Sequence, residues 1–128
     1  MIEKLMLVAL GGAIGATARF LAVTGAIRLF GPGFPWGTLI VNVAGSAAMG
    51  VMVVLLVERL PGGAGRLAPL LMTGLLGGFT TFSAFSLDAM QLFERGRWLA
   101  AAGYVSSSAI LSILGLALGL AIARALMV

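Results

Sequence analysis

Apolar and polar residues separate along this chain in whole spans, not in helical turns. Four long apolar stretches run from Leu5 to Ile27, Trp36 to Val57, Leu67 to Phe93 and Trp98 to Ala123. Each reaches the roughly 20 residues a helix needs to cross the hydrocarbon of a bilayer. The connections are short and carry the turn residues. Gly31-Pro32-Gly33-Phe34-Pro35 joins the first two spans, Glu58 to Arg66 with Pro61-Gly62-Gly63 joins the second to the third, and Glu94-Arg95-Gly96-Arg97 joins the last two. Trp36 and Trp98 each open a span, where an indole sits at the membrane interface. Met1-Ile2-Glu3-Lys4 leads into an apolar stretch too long for a signal-peptide core, which predicts a retained first span. The expected architecture is all-α: one transmembrane four-helix domain over residues 1–128.

The third span departs from the pattern near its middle. Gly77-Gly78-Phe79-Thr80-Thr81-Phe82-Ser83 places paired glycines and two β-branched threonines where a helix interior should be. Glycine there costs roughly 1 kcal/mol each against alanine. Hydrocarbon cannot satisfy freed backbone groups, so irregular backbone at this depth must be covered by protein or line a polar cavity. A broken third helix is therefore expected, and broken helices at the midplane are where transporters bind ions. The other spans are rich in small residues, such as Gly11, Gly12, Gly15 and Ala18 in the first and Gly115 and Gly119 in the fourth. Such residues let membrane helices approach closely. Four short helices enclose little interior, so self-association is expected.

Composition sharpens the class. Of 128 residues, 61% are apolar and 9% charged, which is too apolar for a soluble domain of this size. Cysteine and histidine are absent, which excludes disulfides, thiolate chemistry and imidazole-based proton transfer or metal binding. The net charge of +4 is spread over loops and ends. It suits lipid headgroups, and without a basic cluster it does not suggest nucleic acid. Lys4, Arg59, Arg66 and Arg124 fall on one side of the membrane and Arg28, Arg95 and Arg97 on the other. Orientation follows the difference between such counts, and four against three is almost none. Charge counting leaves a single topology and insertion in both orientations equally open. In the second case, oppositely inserted copies could pair as an antiparallel two-fold dimer.

Candidate chemistry lies in the few polar groups within the spans. Arg19 in the first span either draws anions toward a pore mouth or binds backbone carbonyls as a structural residue. Asn42 in the second offers amide donors to an ion or an interhelical hydrogen bond. Phe82 and Phe85, three residues apart, follow the irregular segment. Their ring edges are the positive rim of the quadrupole and can meet an anion, although phenylalanine is far more often core. Ser83 and Ser86 repeat that spacing, and serine commonly bonds back to its own helix. Tyr104, Ser108 and Ser112 at i, i+4 and i+8 form a hydroxyl stripe on one face of the fourth span, either a wet track or interhelical glue. No carboxylate occupies a span centre, and Asp88 lies near an end. A cation or proton pathway would want acids there, whereas hydroxyl and amide donors suit a small anion. With no base beside a serine and no metal-ligand cluster, an enzyme is not expected.

These residues bring a family into view. The chain resembles the Fluc (CrcB) fluoride channels of microbes over essentially its whole length. The resemblance rests on Gly11-Gly12-Ala13-Ile14-Gly15-Ala16-Thr17-Ala18-Arg19, on Trp36-Gly37-Thr38-Leu39-Ile40-Val41-Asn42, and on Gly77-Gly78-Phe79-Thr80-Thr81-Phe82-Ser83-Ala84-Phe85-Ser86. It implies a multi-pass protein of the cytoplasmic (inner) membrane that forms an antiparallel dual-topology homodimer. By similarity, Phe82 and Phe85 would line fluoride paths and Asn42 would donate to the ion. Thr81 and Ser83 would add hydroxyls, and Tyr104, Ser108 and Ser112 would match a polar track. The carbonyls of Gly77 and Thr80 would hold a structural sodium ion (Na+) at the dimer interface. Arg19 would be vestibular or structural. Ala84 stands where the family more often has threonine, and Leu116 ends the hydroxyl stripe.

The function expected is a passive fluoride-selective channel that relieves fluoride toxicity, with fluoride, membrane lipid and a second copy of the chain as partners. Two rivals are a proton-coupled dual-topology exporter and a non-transporting assembly subunit. The first needs a carboxylate in span one, where Arg19 stands instead.

Overall fold

The computed structural model describes residues 1–127. Val128, the last residue of the expected domain, lies outside the described residues, and Gly63 and Ala64 in the second connection are described by their backbone alone. The described residues are helical almost throughout. Helix α1 spans Ile2–Phe30 and α2 spans Trp36–Met52, continued by π-helical turns over Val53–Arg59. One 3-10 turn at Pro61–Ala64 leads to a π-helical segment over Ala68–Leu76. The third span goes on through the single turn α3, Gly77–Phe79, and then α4, Ser83–Glu94; α5 is Trp98–Leu126. Among the described residues, four helical segments are long and apolar enough to cross a membrane: Ile2–Phe30, Trp36–Arg59, Ala68–Glu94 and Trp98–Leu126.

The helices outrun the apolar stretches by a few residues because the polar ends keep the helical ladder into the interface. At 1.5 Å per residue the 29 residues of α1 reach about 44 Å, beyond the roughly 30 Å of hydrocarbon. Wide π turns over 53–59 and 68–76 were not expected from the apolar pattern, which is blind to hydrogen-bond register. Pro69 near the start of the second segment cannot donate to the ladder.

The closest packing is between alternate spans, not consecutive ones. α2 lies along α5, and α1 lies along Ala68–Leu76 and α3. α4 leaves α1 and packs on α5 instead, so the third span changes partner half-way. Two ends emerge from side-chain ties. Glu3 pairs with Arg66 at 2.5 Å and Glu58 with Arg124 at 2.6 Å, gathering the N-terminus, the second connection and the C-terminal end of α5. At the opposite end Arg97 Nη1 donates to the Gly33 carbonyl, which joins the other two connections. Pairs this exposed add little to stability, but they fix which ends lie together.

A small core forms where Leu39, Leu92, Ala101 and Tyr104 meet, with Phe34, Val43 and Phe85 against them. Most of the apolar surface points outward. Even in the most enclosed span only 28% of the apolar window is buried within the chain. Lipid or another protein must cover the rest.

Candidate functional site

The polar groups of the bundle collect where the third span changes partner. Thr80 still bonds helically, its N–H donating to the Leu76 carbonyl at 3.0 Å and its Oγ1 to the same oxygen at 3.0 Å. Its own backbone is then extended, with φ −86° and ψ 160°. In an unbroken helix the Thr81 N–H would donate to Gly77. Here it donates to Asn42 Oδ1 at 2.7 Å, and Asn42 Nδ2 donates to the Thr81 carbonyl at 2.9 Å. Ala84 N–H would likewise donate to Thr80 and instead donates to Thr81 Oγ1 at 3.1 Å. The ladder resumes with Ser86 N–H donating to Phe82 at 2.9 Å. Asn42 thus clamps both backbone polar groups of Thr81, and the carbonyls of Gly77 and Thr80 lose their i+4 donors. A β-carbon at residue 45 would overlap the Thr80 methyl, so Gly45 is what lets α2 come this close.

Arg19 reaches the same segment from α1. Its Nε donates to the Gly78 carbonyl at 3.1 Å. That pairing caps one freed carbonyl and places the guanidinium on backbone, one of the two roles open to it from sequence.

Beside the segment lies an open-sided cavity of about 390 Å³. Asn42, Gly77, Thr80, Thr81, Phe82, Phe85, Ser108 and Ser112 all line it, from α2, the third span and α5. Besides Arg19 and Ser86, two further candidates do not. Ser83 is exposed on the first turn of α4, and Tyr104 is buried one turn from Ser108, outside the lining. Tyr104 donates its hydroxyl to Asp88 Oδ2 at 3.1 Å. Asp88 lines a second, smaller cavity of about 160 Å³ under the first connection, together with Thr38, Gln91 and Arg95. Tyr104 itself lines neither cavity.

The hydroxyls divide into spent and unspent donors. Thr17, Thr80, Ser86 and Ser107 each donate to the carbonyl four residues back on their own helix. Ser108 Oγ, by contrast, is buried without any hydrogen-bond partner. Thr81 Oγ1 accepts from Ala84 and keeps its proton free. Sequence reasoning singled out Ser108 and Thr81 but passed over Ser46, which also lines the cavity. The signal was present: Ser46 stands one turn past Asn42 on the same helix face.

The rings complete the wall. Phe82 and Phe85 lie 5.5 Å apart at 52°, and Phe85 packs on Tyr104 at 5.2 Å. Phe85 is half-buried, whereas Phe82 is 80% exposed on the open side, too exposed to be core of the single chain. No Asp or Glu lines the cavity. Its freed groups are neutral carbonyls, and no cluster of three or more His, Cys, Asp or Glu side chains occurs among the described residues. A hard monovalent cation such as sodium is matched by uncapped carbonyl oxygens, so the Gly77 and Thr80 donor set fits one in chemical type.

The chain is similar to known proteins over nearly its whole length. A family model described as CrcB-like protein, Camphor Resistance (CrcB), matches residues 6–120. A protein of Cereibacter sphaeroides named fluoride-specific ion channel FluC is 59% identical over 124 residues, 97% of each chain. A protein of the same name from Ruegeria sp. is 55% identical over 125 residues, again 97% of each. A third, from Mesorhizobium japonicum, is 51% identical over 123 residues, 96% of this chain and 98% of the other.

Proposed function

The chain belongs to the CrcB family, and we propose that it is a passive, fluoride-selective channel of the cytoplasmic membrane, through which accumulated fluoride leaves the cell. It is a multi-pass membrane protein and not an enzyme. The observation that carries the proposal is the donor-lined cavity: hydroxyls with protons to give, an orphaned Ser108 Oγ and no carboxylate. A buried hydroxyl without a partner is costly, and a small anion is the ligand that would use it. Fluoride entering there gives up water and takes donors from Thr81, Ser108 and Ser112, with the remaining Asn42 amide hydrogen and the Phe82 and Phe85 ring edges as weaker partners. Several weak sites in a row let the ion leave as readily as it enters. A proton-coupled exporter would need an acid in this lining.

The open side of the cavity supports a homodimer. Uncapped carbonyls at Gly77 and Thr80 and the exposed Phe82 would otherwise face lipid, which cannot hydrogen-bond. A second copy in the opposite orientation is consistent with the near-equal loop charges. A sodium ion between the two sets of carbonyls would neutralise their partial negative charge, which otherwise repels an anion passing the same segment. Transfer of the purified protein from sodium to N-methylglucamine salts is expected to lower its unfolding temperature. A curve indifferent to sodium removes the ion from the scheme.

The deciding experiment is fluoride release from liposomes carrying the purified protein, followed with a fluoride electrode after a potassium ionophore is added. Rapid release of fluoride and none of chloride is expected. Phe82→Ile, which keeps bulk and removes the ring edge, is expected to slow release by about tenfold or more, equivalent to about 1.4 kcal/mol on the barrier. Absence of release from a folded oligomer overturns the channel assignment.

A further inference from the structure

We infer that Ser46 is a fluoride-contacting residue on the α2 wall of the pathway, facing the α5 hydroxyls. The inference rests on the channel assignment above and deepens it. Ser46 lines the same cavity as Ser108 and Ser112 but from a different helix, one turn beyond Asn42. Asn42 has most of its hydrogen-bonding capacity committed to Thr81, which leaves one amide hydrogen. Without Ser46, the α2 side of the cavity offers an anion that single donor. With it, an ion beside the orphaned Ser108 hydroxyl is held from two walls.

Serine in a membrane helix usually bonds to the carbonyl four residues back, and Ser86 and Ser107 do so here. Among the described residues Ser46 is not one of the serines that bond back in this way. α2 is also held close at this level. Gly45 accommodates Thr80 and Phe79 at a distance no larger residue could, so Ser46 next to it is fixed in depth opposite the freed carbonyls. A fixed, half-buried donor with its proton unspent is what distinguishes a pore contact from interhelical glue.

The test uses the full chain in liposomes. Ser46→Ala is expected to slow fluoride release by roughly tenfold, the rate equivalent of one lost hydrogen bond, and to raise the fluoride concentration at half-maximal flux. Ser46→Thr keeps the hydroxyl and is expected to stay within about threefold of wild type. The chain has no cysteine, so Ser46→Cys carries its only thiol. Silver ions, which react with a thiol only where water reaches it, are expected to block that variant and to spare the wild type. Wild-type conduction with an unimpaired Ser46→Ala, or with Ser46→Cys indifferent to silver, overturns the role of Ser46 and leaves the channel standing. Ser46→Thr as slow as a monodisperse Ser46→Ala overturns it too, because the hydroxyl would then not be the cause. A folded wild type that releases no fluoride overturns both.

Discussion

Asn42→Ala is expected to abolish fluoride release and to destabilise the protein by about 2–6 kcal/mol, the largest effect expected of any polar substitution in the spans. The magnitude follows from what the amide does. It accepts from the Thr81 N–H at 2.7 Å and donates to the Thr81 carbonyl at 2.9 Å. Alanine leaves the N–H and the C=O of Thr81 both unpaired at a depth without bulk water. Each orphaned group costs about 1–3 kcal/mol. The alternative is for Thr81 to swing back into helix and pair with Gly77, which relieves the cost and erases the site. Either way the hydroxyl of Thr81 and the rings of Phe82 and Phe85 lose their positions. Asn42→Asp separates geometry from charge. It can still accept from the Thr81 N–H but cannot donate to the carbonyl, and it adds an anion to an anion pathway. Its flux is expected to be as low as that of alanine, with part of the stability restored. Thermal unfolding of the purified variants beside liposome flux checks both. Wild-type flux from Asn42→Ala would mean that the segment is held elsewhere.

How much of this was legible beforehand depends on the range of the interaction. The four spans and their turns were readable because apolar length and Gly-Pro punctuation are local properties. The special character of residues 77–83 was readable because two glycines and two threonines are a poor helix interior wherever they occur. The partners of that segment were not. Nothing in Asn42 or Arg19 alone states that one will clamp Thr81 and the other will cap Gly78, since both bonds join residues far apart in sequence. The hydroxyls show the same limit. Ser108 and Ser107 are adjacent and chemically identical, yet one is orphaned in the cavity wall and the other is spent on its own helix. Periodicity picked out Ser108 through the stripe with Tyr104, but the same stripe also enlisted Tyr104, whose hydroxyl goes to Asp88. Ser46 was missed although it stands one turn past Asn42, because only the meeting of three spans puts it in one cavity with Ser108 and Ser112.

Gly15→Ala is the second change with a large expected effect, and it acts through packing, not through the removal of a donor. A β-carbon at this position would overlap the Leu75 carbonyl oxygen and lie 2.9 Å from the Phe79 nitrogen. Both are backbone atoms of the third span, so no side chain can rotate away and the helices must part. Ordinary overpacking costs about 1–3 kcal/mol, and a clash of backbone on backbone belongs at or above the top of that range. The damage is not confined to packing. Arg19 sits one turn further along α1 and reaches Gly78 only because α1 and α3 are in contact, while a β-carbon at Gly78 would in turn meet the Gly12 carbonyl at 2.7 Å. Parting the helices therefore uncaps a carbonyl in the segment that carries the site. The expected result is a variant that loses its monodisperse peak on size exclusion, or unfolds well below wild type, and carries no fluoride. Gly25→Ala supplies the matched control. It is the same substitution in the same helix, but a β-carbon there meets nothing within 4 Å. With space available, alanine's better helix propensity leaves stability unchanged or raises it by up to about 1 kcal/mol. The contrast between the two variants isolates close approach from propensity. Equal effects would show that glycine matters in α1 for its flexibility alone.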